Sequence, residues 1–276
     1  MREPCWSYIM RQRPGNGALD EMAQLAGNEG WRRVKAKNAW IWMLGLAVWL
    51  AACGPEPTPE VRTLTVMTHD SFDVSESVVA AFQDSCKCEV QFLQSGDTGL
   101  MLNQALLSKE NPMADVLYGV DNTFLSRALA GGILEPYASP LLGQVPDDLE
   151  LDPKSRMVPV DYGDVCLNYD KGWFEKRDLD PPSDLPDLVE PESRGLAVVE
   201  NPATSSPGLA FLLATIGRFG EAGDYGFLDY WAGLRANDVL VADGWEDAYW
   251  GSFTYASDGD RPIVVSYASS PPVEVY

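Results

Sequence analysis

The stretch TLTVMTHDSF, from Thr63 to Phe72, decides the fold because it opens a pattern that the chain then repeats. Its alternating β-branched residues end in the polar group His69-Asp70-Ser71, which is typical of a strand that runs into a loop. The segment SESVVAAFQDSC follows and carries Val78 and Phe82 at the spacing of an amphipathic helix. The sequence therefore predicts a β-strand followed by an α-helix.

Two further strand–helix pairs follow the first. The predicted strands are CEVQFLQSG and ADVLYGVDNTF, and the predicted helices are GLMLNQALLSKE and FLSRALAGGIL. This alternation predicts an α/β fold with a mostly parallel sheet covered by helices on both faces. In sheets of this kind, ligands bind beyond the carboxyl ends of the strands.

The pattern restarts at about Met157, which predicts a second lobe. MVPVDYGDVCLNYD reads as two β segments around Asp161-Tyr162-Gly163, and strands and helices alternate again beyond it. We therefore expect two α/β lobes, residues 63–160 and 161–276, with their boundary near Asp161.

Composition excludes several classes of function. Among 276 residues, 41 are acidic and 20 are lysine or arginine, giving a net charge of -21. Nucleic acid needs a basic surface, whereas this charge favours a cationic small molecule. The single histidine, His69, and the scattered cysteines fit no metal pattern and no Ser-His-Asp triad elsewhere in the chain. We expect no metal and no cofactor.

The first sixty residues have the pattern of an export signal. The apolar run from Ala39 to Ala52 has the length of a signal-peptide core, and it ends at Cys53 in a sequence like the bacterial lipobox. We expect an N-terminal extension and signal peptide at 1–53, a lipid on Cys53, and a Pro-rich tether at 54–62. The alternative is a buried hydrophobic helix. The long segment upstream is also explained if Val34 is the true start. The prediction is an exported lipoprotein, periplasmic or on the cell surface.

Polar loops follow the three strands predicted in the first lobe. They contain His69-Asp70-Ser71, Ser95-Gly96-Asp97-Thr98 and Asp121-Asn122-Thr123. Each has an alternative role in turn or N-cap chemistry, but three such loops at one sheet edge favour a binding site. The close pair Cys86 and Cys88 is either a short-range disulfide or two reduced thiols.

The second lobe offers its own candidates. In NPATSSPGLAFLLATIG, from Asn201 to Gly217, Ser205 or Ser206 can cap a helix whose first turn favours an oxygen-rich anion. A helix cap without a ligand is the alternative. Trp245 and Tyr267 directly follow strands, where aromatic rings stack on a flat cation or pack in a core. Tyr162 follows Asp161 where the chain crosses between lobes.

Seven linked motifs resemble the periplasmic thiamine-binding proteins of ABC importers. They are LTVMTHDSF, DSCKCEV, ADVLYGVDN, VPVDYGDVCLNYDK, NPATSSPGLAFLL, ADGWEDAY and VSYASSPP. The resemblance covers 63–276 and implies the two-lobed periplasmic binding protein fold, with thiamine or its phosphate esters held between the lobes. It also implies a monomer that delivers the ligand to a membrane permease and its ATPase.

The same resemblance implies roles for single residues. Asp97 and Ser205 match ligand-contacting positions, and Trp245 and Tyr267 match aromatic positions that line the cleft. His69 stands where relatives have tyrosine, and Val273 where they have an aromatic residue. Relatives continue well beyond the final VEVY, so we expect a truncated gene or a fragment whose first lobe is incomplete.

Three alternatives remain open at this point. A polyamine would use the aromatic and acidic residues, and an iron complex would want adjacent tyrosines, a pair that does not occur in this sequence. A thiamine-degrading enzyme of the same fold would need a cysteine nucleophile, for which Cys166 is the candidate. Strand alternation predicts that Cys166 points into the sheet, and we expect no enzymatic activity.

Overall fold

The computed structural model describes residues 61–273, which form two β-sheets with helices around them. The strands are β1 (Arg62–Thr68), β2 (Cys88–Gln94), β3 (Val116–Leu117), β4 (Val165–Tyr169), β5 (Ala197–Glu200), β6 (Leu240–Ala242) and β7 (Ile263–Tyr267). The helices are α1 (Glu76–Cys86), α2 (Thr98–Leu107), α3 (Leu125–Gly131), α4 (Lys171–Glu175), α5 (Ser206–Phe219), α6 (Phe227–Ala236), α7 (Trp245–Tyr249) and α8 (Ser270–Val273). Short 3-10 helices occupy Leu142–Gln144, Asp147–Leu149, Leu185–Val189 and Pro191–Ser193.

The first sheet has the order β2-β1-β3 and is parallel throughout. Strand β3 is shorter than the sequence predicts. The Asp115 side chain accepts from the Thr65 amide at 2.9 Å just before the strand, and Gly119 turns the chain with a φ of 104° just after it. The loops after β1, β2 and β3 therefore share one edge of this sheet.

The second sheet has the order β4-β7-β5-β6, with β4 antiparallel to β7 and the other neighbours parallel. One face packs on α5 and α6 through Phe211, Tyr230 and Leu234, and the other packs on α7 through Ala248 and Tyr249. The prediction of a β segment before Asp161 is wrong, because 157–160 is irregular and only β4 forms a strand there.

Helix α5 shows how local sequence sets the geometry of the site. It begins at Ser206 with Pro207 in its first turn, where a missing amide proton costs little, and it ends at Gly220 with a φ of 76°. Its Phe211 packs in the core of the second sheet, and Leu209 packs against the cluster of Leu102 and Phe124. Because the helix directly follows β5, its N-terminus lies at the carboxyl end of that strand.

Cys86 and Cys88 form a disulfide in the structure, with an S–S distance of 2.06 Å. The bond joins the end of α1 to the start of β2, and Lys87 between them has a φ of 53°.

The predicted export segment lies outside the described residues. It comprises the extension and signal peptide at 1–53, the lipid on Cys53 and most of the tether at 54–62. Within 61–273, no helix is long and apolar enough to cross a membrane.

Candidate functional site

The two sheets meet where the N-terminus of α2 touches the loop between β5 and α5. The Gly99 amide donates to the Thr204 carbonyl at 2.7 Å. A Cβ at Gly99 would lie 2.6 Å from the Ala203 oxygen and 2.7 Å from the Thr204 Cα, so only glycine permits this approach. The contact brings the polar loops of both sheets to one place.

Asp97 lies at this junction and serves both sheets. It is the N-cap residue of α2, where its Oδ1 accepts from the Thr98 amide at 2.7 Å. Its Oδ2 accepts from the Trp245 amide, at the start of α7, at 2.9 Å. The carboxylate therefore combines the predicted capping role with a bridge to the other sheet.

Ser205 and Ser206 form the start of α5, as the sequence predicts, and both are buried. Neither hydroxyl has a hydrogen-bond partner among residues 61–273, and Ser205 makes no side-chain cap despite its N-cap position. The two hydroxyls and the positive end of the helix dipole form an environment suited to an oxygen-rich group.

Trp245 is partly buried and uses its polar edge inside the protein. Its Nε1 donates to the Ser266 hydroxyl at 2.8 Å, and its ring stacks on Tyr249 with centroids 4.8 Å apart. The ring face that stacks on Tyr249 therefore packs in the core, which was one of the two roles that the sequence left open for Trp245. Trp245 also lines a small pocket with five acidic residues: Asp70, Asp97, Asp243, Glu246 and Asp247.

Tyr267 ends β7 and lies among several carboxyl groups. Burial, the largest cause, together with Asp121, Asp97, Glu200 and Asp161, raises the pKa of its phenol well above the usual value. The phenol is therefore a neutral hydrogen-bonding group. The same interactions place the predicted residues Asp97, Asp121 and Asp161 in one electrostatic neighbourhood.

His69 lies at the end of β1 among aromatic rings. Its Nδ1 is 3.1 Å from the Ser71 hydroxyl, and its ring is 6.3 Å from Phe72 and 6.2 Å from Tyr118. Burial lowers the pKa of His69, although the carboxylates of Asp97, Asp161 and Asp70 oppose that change. The lowered pKa favours the neutral imidazole.

Among residues 61–273, the remaining predicted residues, Asp121, Asp161 and Tyr162, form no hydrogen bond with the junction between α2 and the loop before α5. Asp121 turns the chain, because its Oδ1 accepts from the Thr123 amide and hydroxyl at 3.1 and 2.7 Å. Asp161 accepts from the Tyr118 hydroxyl at 3.2 Å, and Tyr162 is 64% exposed. Ligand contacts at all nine candidate positions stay predictions.

Two residues at the site were not predicted. Tyr118, after β3, contacts His69 and Asp161, and Glu200 is fully buried at the end of β5. The sequence carries no signal for Glu200, since a glutamate after an apolar run such as LAVV is ordinarily exposed to solvent.

The prediction for Cys166 is wrong, because its side chain is exposed on the edge strand β4. Partial burial, with Asp164 as a smaller cause, raises the pKa of its thiol. A raised pKa disfavours the thiolate that a nucleophile needs.

Within 61–273, no group of three or more His, Cys, Asp or Glu residues is arranged to hold a metal ion.

The matching family model and two relatives of this chain all represent bacterial solute-binding proteins. Residues 111–271, more than half of the chain, match the family model of bacterial extracellular solute-binding proteins. The thiamine-binding periplasmic protein of Brucella suis biovar 1 (strain 1330) is 34% identical over 229 residues, covering 80% of this chain. The protein of the same name from Escherichia coli (strain K12) is 32% identical over 213 residues, covering 75% of this chain.

These relatives are longer than the part that aligns. The chain spans 64% of the Brucella suis protein and 61% of the Escherichia coli protein. Among solved structures, a periplasmic thiamin binding protein superposes with a TM-score of 0.63 at 29% identity, over 80% of this chain and 66% of that one. This likeness confirms the predicted two-lobed α/β fold.

Proposed function

The chain belongs to the bacterial extracellular solute-binding proteins, and we propose that it captures thiamine or a thiamine phosphate for import by an ABC transporter. The observation that carries the proposal is the bridge between Asp97 and Trp245. It unites two of the predicted ligand positions, one from each sheet, in a chain that is 34% identical to a protein named as thiamine-binding.

Capture requires complementary charge rather than covalent chemistry. The thiazolium ring of thiamine is a cation, and it would lie among Asp97, Trp245 and Tyr267, where carboxylates and aromatic faces stabilise positive charge. The hydroxyl or phosphate tail would meet the hydroxyls of Ser205 and Ser206 at the start of α5, which have no hydrogen-bond partner within the described residues.

Closure of the two lobes holds the ligand. The bonds from Trp245 to Asp97 and from Gly99 to Thr204 form only when the two sheets approach each other. A ligand that fills the gap between the sheets would stabilise this closed arrangement by adding contacts to both. The importer's permease would then recognise the closed form, and its ATPase would drive transport.

Location outside the cytoplasmic membrane is part of the proposal. The apolar run that ends at Cys53 supports export, with a lipid on the cysteine holding the domain near the permease. Metabolic labelling with a radioactive fatty acid tests the anchor. We expect the label on the full chain and its loss in Cys53→Ala.

A polyamine is the second candidate, and one observation favours it. The pocket beside Trp245 is lined by five acidic side chains, which suits a flexible polycation as well as a single thiazolium. A polyamine lacks the ring and the tail that the aromatic residues and Ser205 would contact.

Isothermal titration of the full chain separates these candidates. We expect thiamine to bind with a Kd of about 10 µM or tighter, corresponding to roughly −7 kcal/mol, and excess spermidine not to displace it. Titration with the monophosphate and diphosphate orders the phosphorylated forms. Saturable spermidine binding without thiamine binding would replace the proposal by the polyamine alternative.

A further inference from the structure

Glu200 is the most anomalous polar residue in the described part of the chain. It is the last residue of β5, a strand with neighbours on both sides, and it is 0% exposed. Neither carboxyl oxygen has a hydrogen-bond partner of normal geometry among residues 61–273. Buried polar groups in native proteins are paired in the great majority of cases, so this exception requires an explanation.

Packing alone does not explain a carboxyl group here. The preceding residues Val198 and Val199 are fully buried, and β6 places the small residue Ala242 beside Glu200. The first turn of α5 rests directly on it, because a Cβ at Gly208 would lie 2.5 Å from the Glu200 carbonyl oxygen and 3.0 Å from its Cβ. An apolar residue of equal size would satisfy these surroundings without the cost of desolvating a carboxyl.

The position of Glu200 connects it with the candidate site. The carboxyl end of a central strand is where ligands bind in such sheets, and Glu200 interacts electrostatically with both Asp97 and Tyr267. The loop that follows it leads within a few residues to Ser205 and Ser206, whose buried hydroxyls also lack partners among the described residues.

The environment also sets the protonation state. Burial raises the pKa of Glu200 well above its ordinary value, and Asp97 adds to the rise, while its own backbone amide opposes it only in part. The raised pKa favours the neutral carboxylic acid, which offers one O–H donor and one carbonyl acceptor side by side. It therefore complements a ligand edge that carries an acceptor next to a donor.

We propose that Glu200 is a specificity-determining residue that pairs with the aminopyrimidine ring of the ligand. Its O–H donates to a ring nitrogen, and its carbonyl oxygen accepts from the adjacent amino group. This inference rests on the proposed function. In the proposed function, Asp97 and the aromatic residues contact the thiazolium ring, and Ser205 and Ser206 contact the tail. Glu200 would supply the contact to the remaining part of the ligand, its aminopyrimidine ring.

The test compares two ligands across four versions of the full chain. The ligands are thiamine and an analogue that lacks the 4-amino group, both measured by isothermal titration. Glu200→Met removes the hydrogen-bond donor and the acceptor at similar side-chain volume. Glu200→Gln is the conservative variant, because its neutral amide keeps one donor and one acceptor. Glu89→Gln, at an exposed position of β2, is the control.

We expect Glu200→Met to bind thiamine at least tenfold more weakly, which is about 1.4 kcal/mol, and to lose the preference of the wild type for thiamine over the analogue. Glu200→Gln should restore most of that preference, and Glu89→Gln should match the wild type. Urea unfolding should show Glu200→Met to be at least as stable as the wild type, which excludes misfolding as the cause.

The outcomes separate this inference from the proposed function. If the wild type binds thiamine and Glu200→Met binds it equally well, with the same preference over the analogue, Glu200 is a structural residue and the inference is overturned alone. If the wild type binds no thiamine, the proposed function and this inference fail together.

Discussion

The backbone amide of Trp245 donates to Asp97 Oδ2 at 2.9 Å, across 148 positions of sequence. The bond joins the first turn of α7, on the second sheet, to the N-cap of α2, on the first. Asp97 also interacts electrostatically with His69, Glu200, Glu246 and Tyr267. One carboxylate is therefore both the mechanical link between the sheets and a source of the site's negative charge.

Asp97→Asn should weaken both ligand binding and the fold. The amide keeps one acceptor oxygen but removes the charge and turns an NH2 group toward one of the two donors. We expect thiamine affinity to fall at least tenfold and the free energy of unfolding to fall by about 1–3 kcal/mol, measured by titration calorimetry and urea. Asp243→Asn removes an equal charge from the same pocket and is the control. Equal losses in the two variants would show that charge alone matters.

Glu246 lines the pocket beside Asp70, and its carboxyl predicts a pH effect. Burial, then Asp70, Asp247 and Asp97, raises its pKa, so the folded state holds this proton more tightly than the unfolded state. Its contribution to stability is thus most favourable at low pH and declines as the pH rises from the unfolded value through the raised folded value.

Glu246→Gln should therefore be more stable than the wild type at pH 7 and equal to it at pH 4, in urea unfolding at both values. Thiamine affinity should move the other way, falling about two- to fivefold, as expected for a solvent-screened charge pair. The exposed Glu192→Gln is the control for a lost surface charge. A gain in stability that persists at pH 4 would contradict the electrostatic cause.

The sequence predicts the features that depend on neighbouring residues, but not those that depend on contacts between residues far apart in the chain. Short-range patterns predict the strand–helix alternation, the start of α5 at Ser205 and Ser206, and the polar loops after the strands. Those patterns report local backbone preference. The link between Asp97 and Trp245 depends on how the two sheets pack, which no local pattern contains.

The errors have the same origin. Alternation along β4 shows which residues share a face, but not that the strand lies at the sheet edge, where Cys166 is exposed. Glu200 was missed because a glutamate after an apolar strand is ordinarily a solvated end. Only the packing of α5 on β5 makes it buried.

The Cys86–Cys88 disulfide should contribute little to stability. It closes a ring of only three residues, so the entropy it removes from the unfolded chain corresponds to about 1.5 kcal/mol. We expect Cys86→Ser/Cys88→Ser to lose no more than that in urea unfolding and to bind thiamine as the wild type does. Dithiothreitol should reproduce the loss in the wild type and leave the double variant unchanged. A loss of binding would instead show that the bond helps to position β2, whose carboxyl end leads to Asp97.

Cys166→Ser tests the enzymatic alternative. The raised pKa of this exposed thiol disfavours the thiolate, so we expect the wild type and the variant to leave thiamine intact over hours, followed by chromatography. Thiamine degradation by the wild type that disappears in Cys166→Ser would show that the protein is an enzyme.

Gly99→Ala should disrupt the contact between the sheets most directly. The added methyl group would lie 2.6 Å from the Ala203 oxygen, so the loop before α5 must move away and carry Ser205 with it. We expect a loss of thiamine affinity of at least tenfold and a destabilisation of about 1–3 kcal/mol, typical of overpacking.

Gly217→Ala is the matched control for this substitution, because nothing lies within 4 Å of a Cβ at that position of α5. There the methyl group should stabilise the helix by roughly 0.5–1 kcal/mol and leave binding unchanged. Since both variants add one methyl group, a difference between them isolates the close approach of Gly99 to Thr204. Wild-type affinity in Gly99→Ala would mean that the ligand is held without this contact, and that closure does not depend on it.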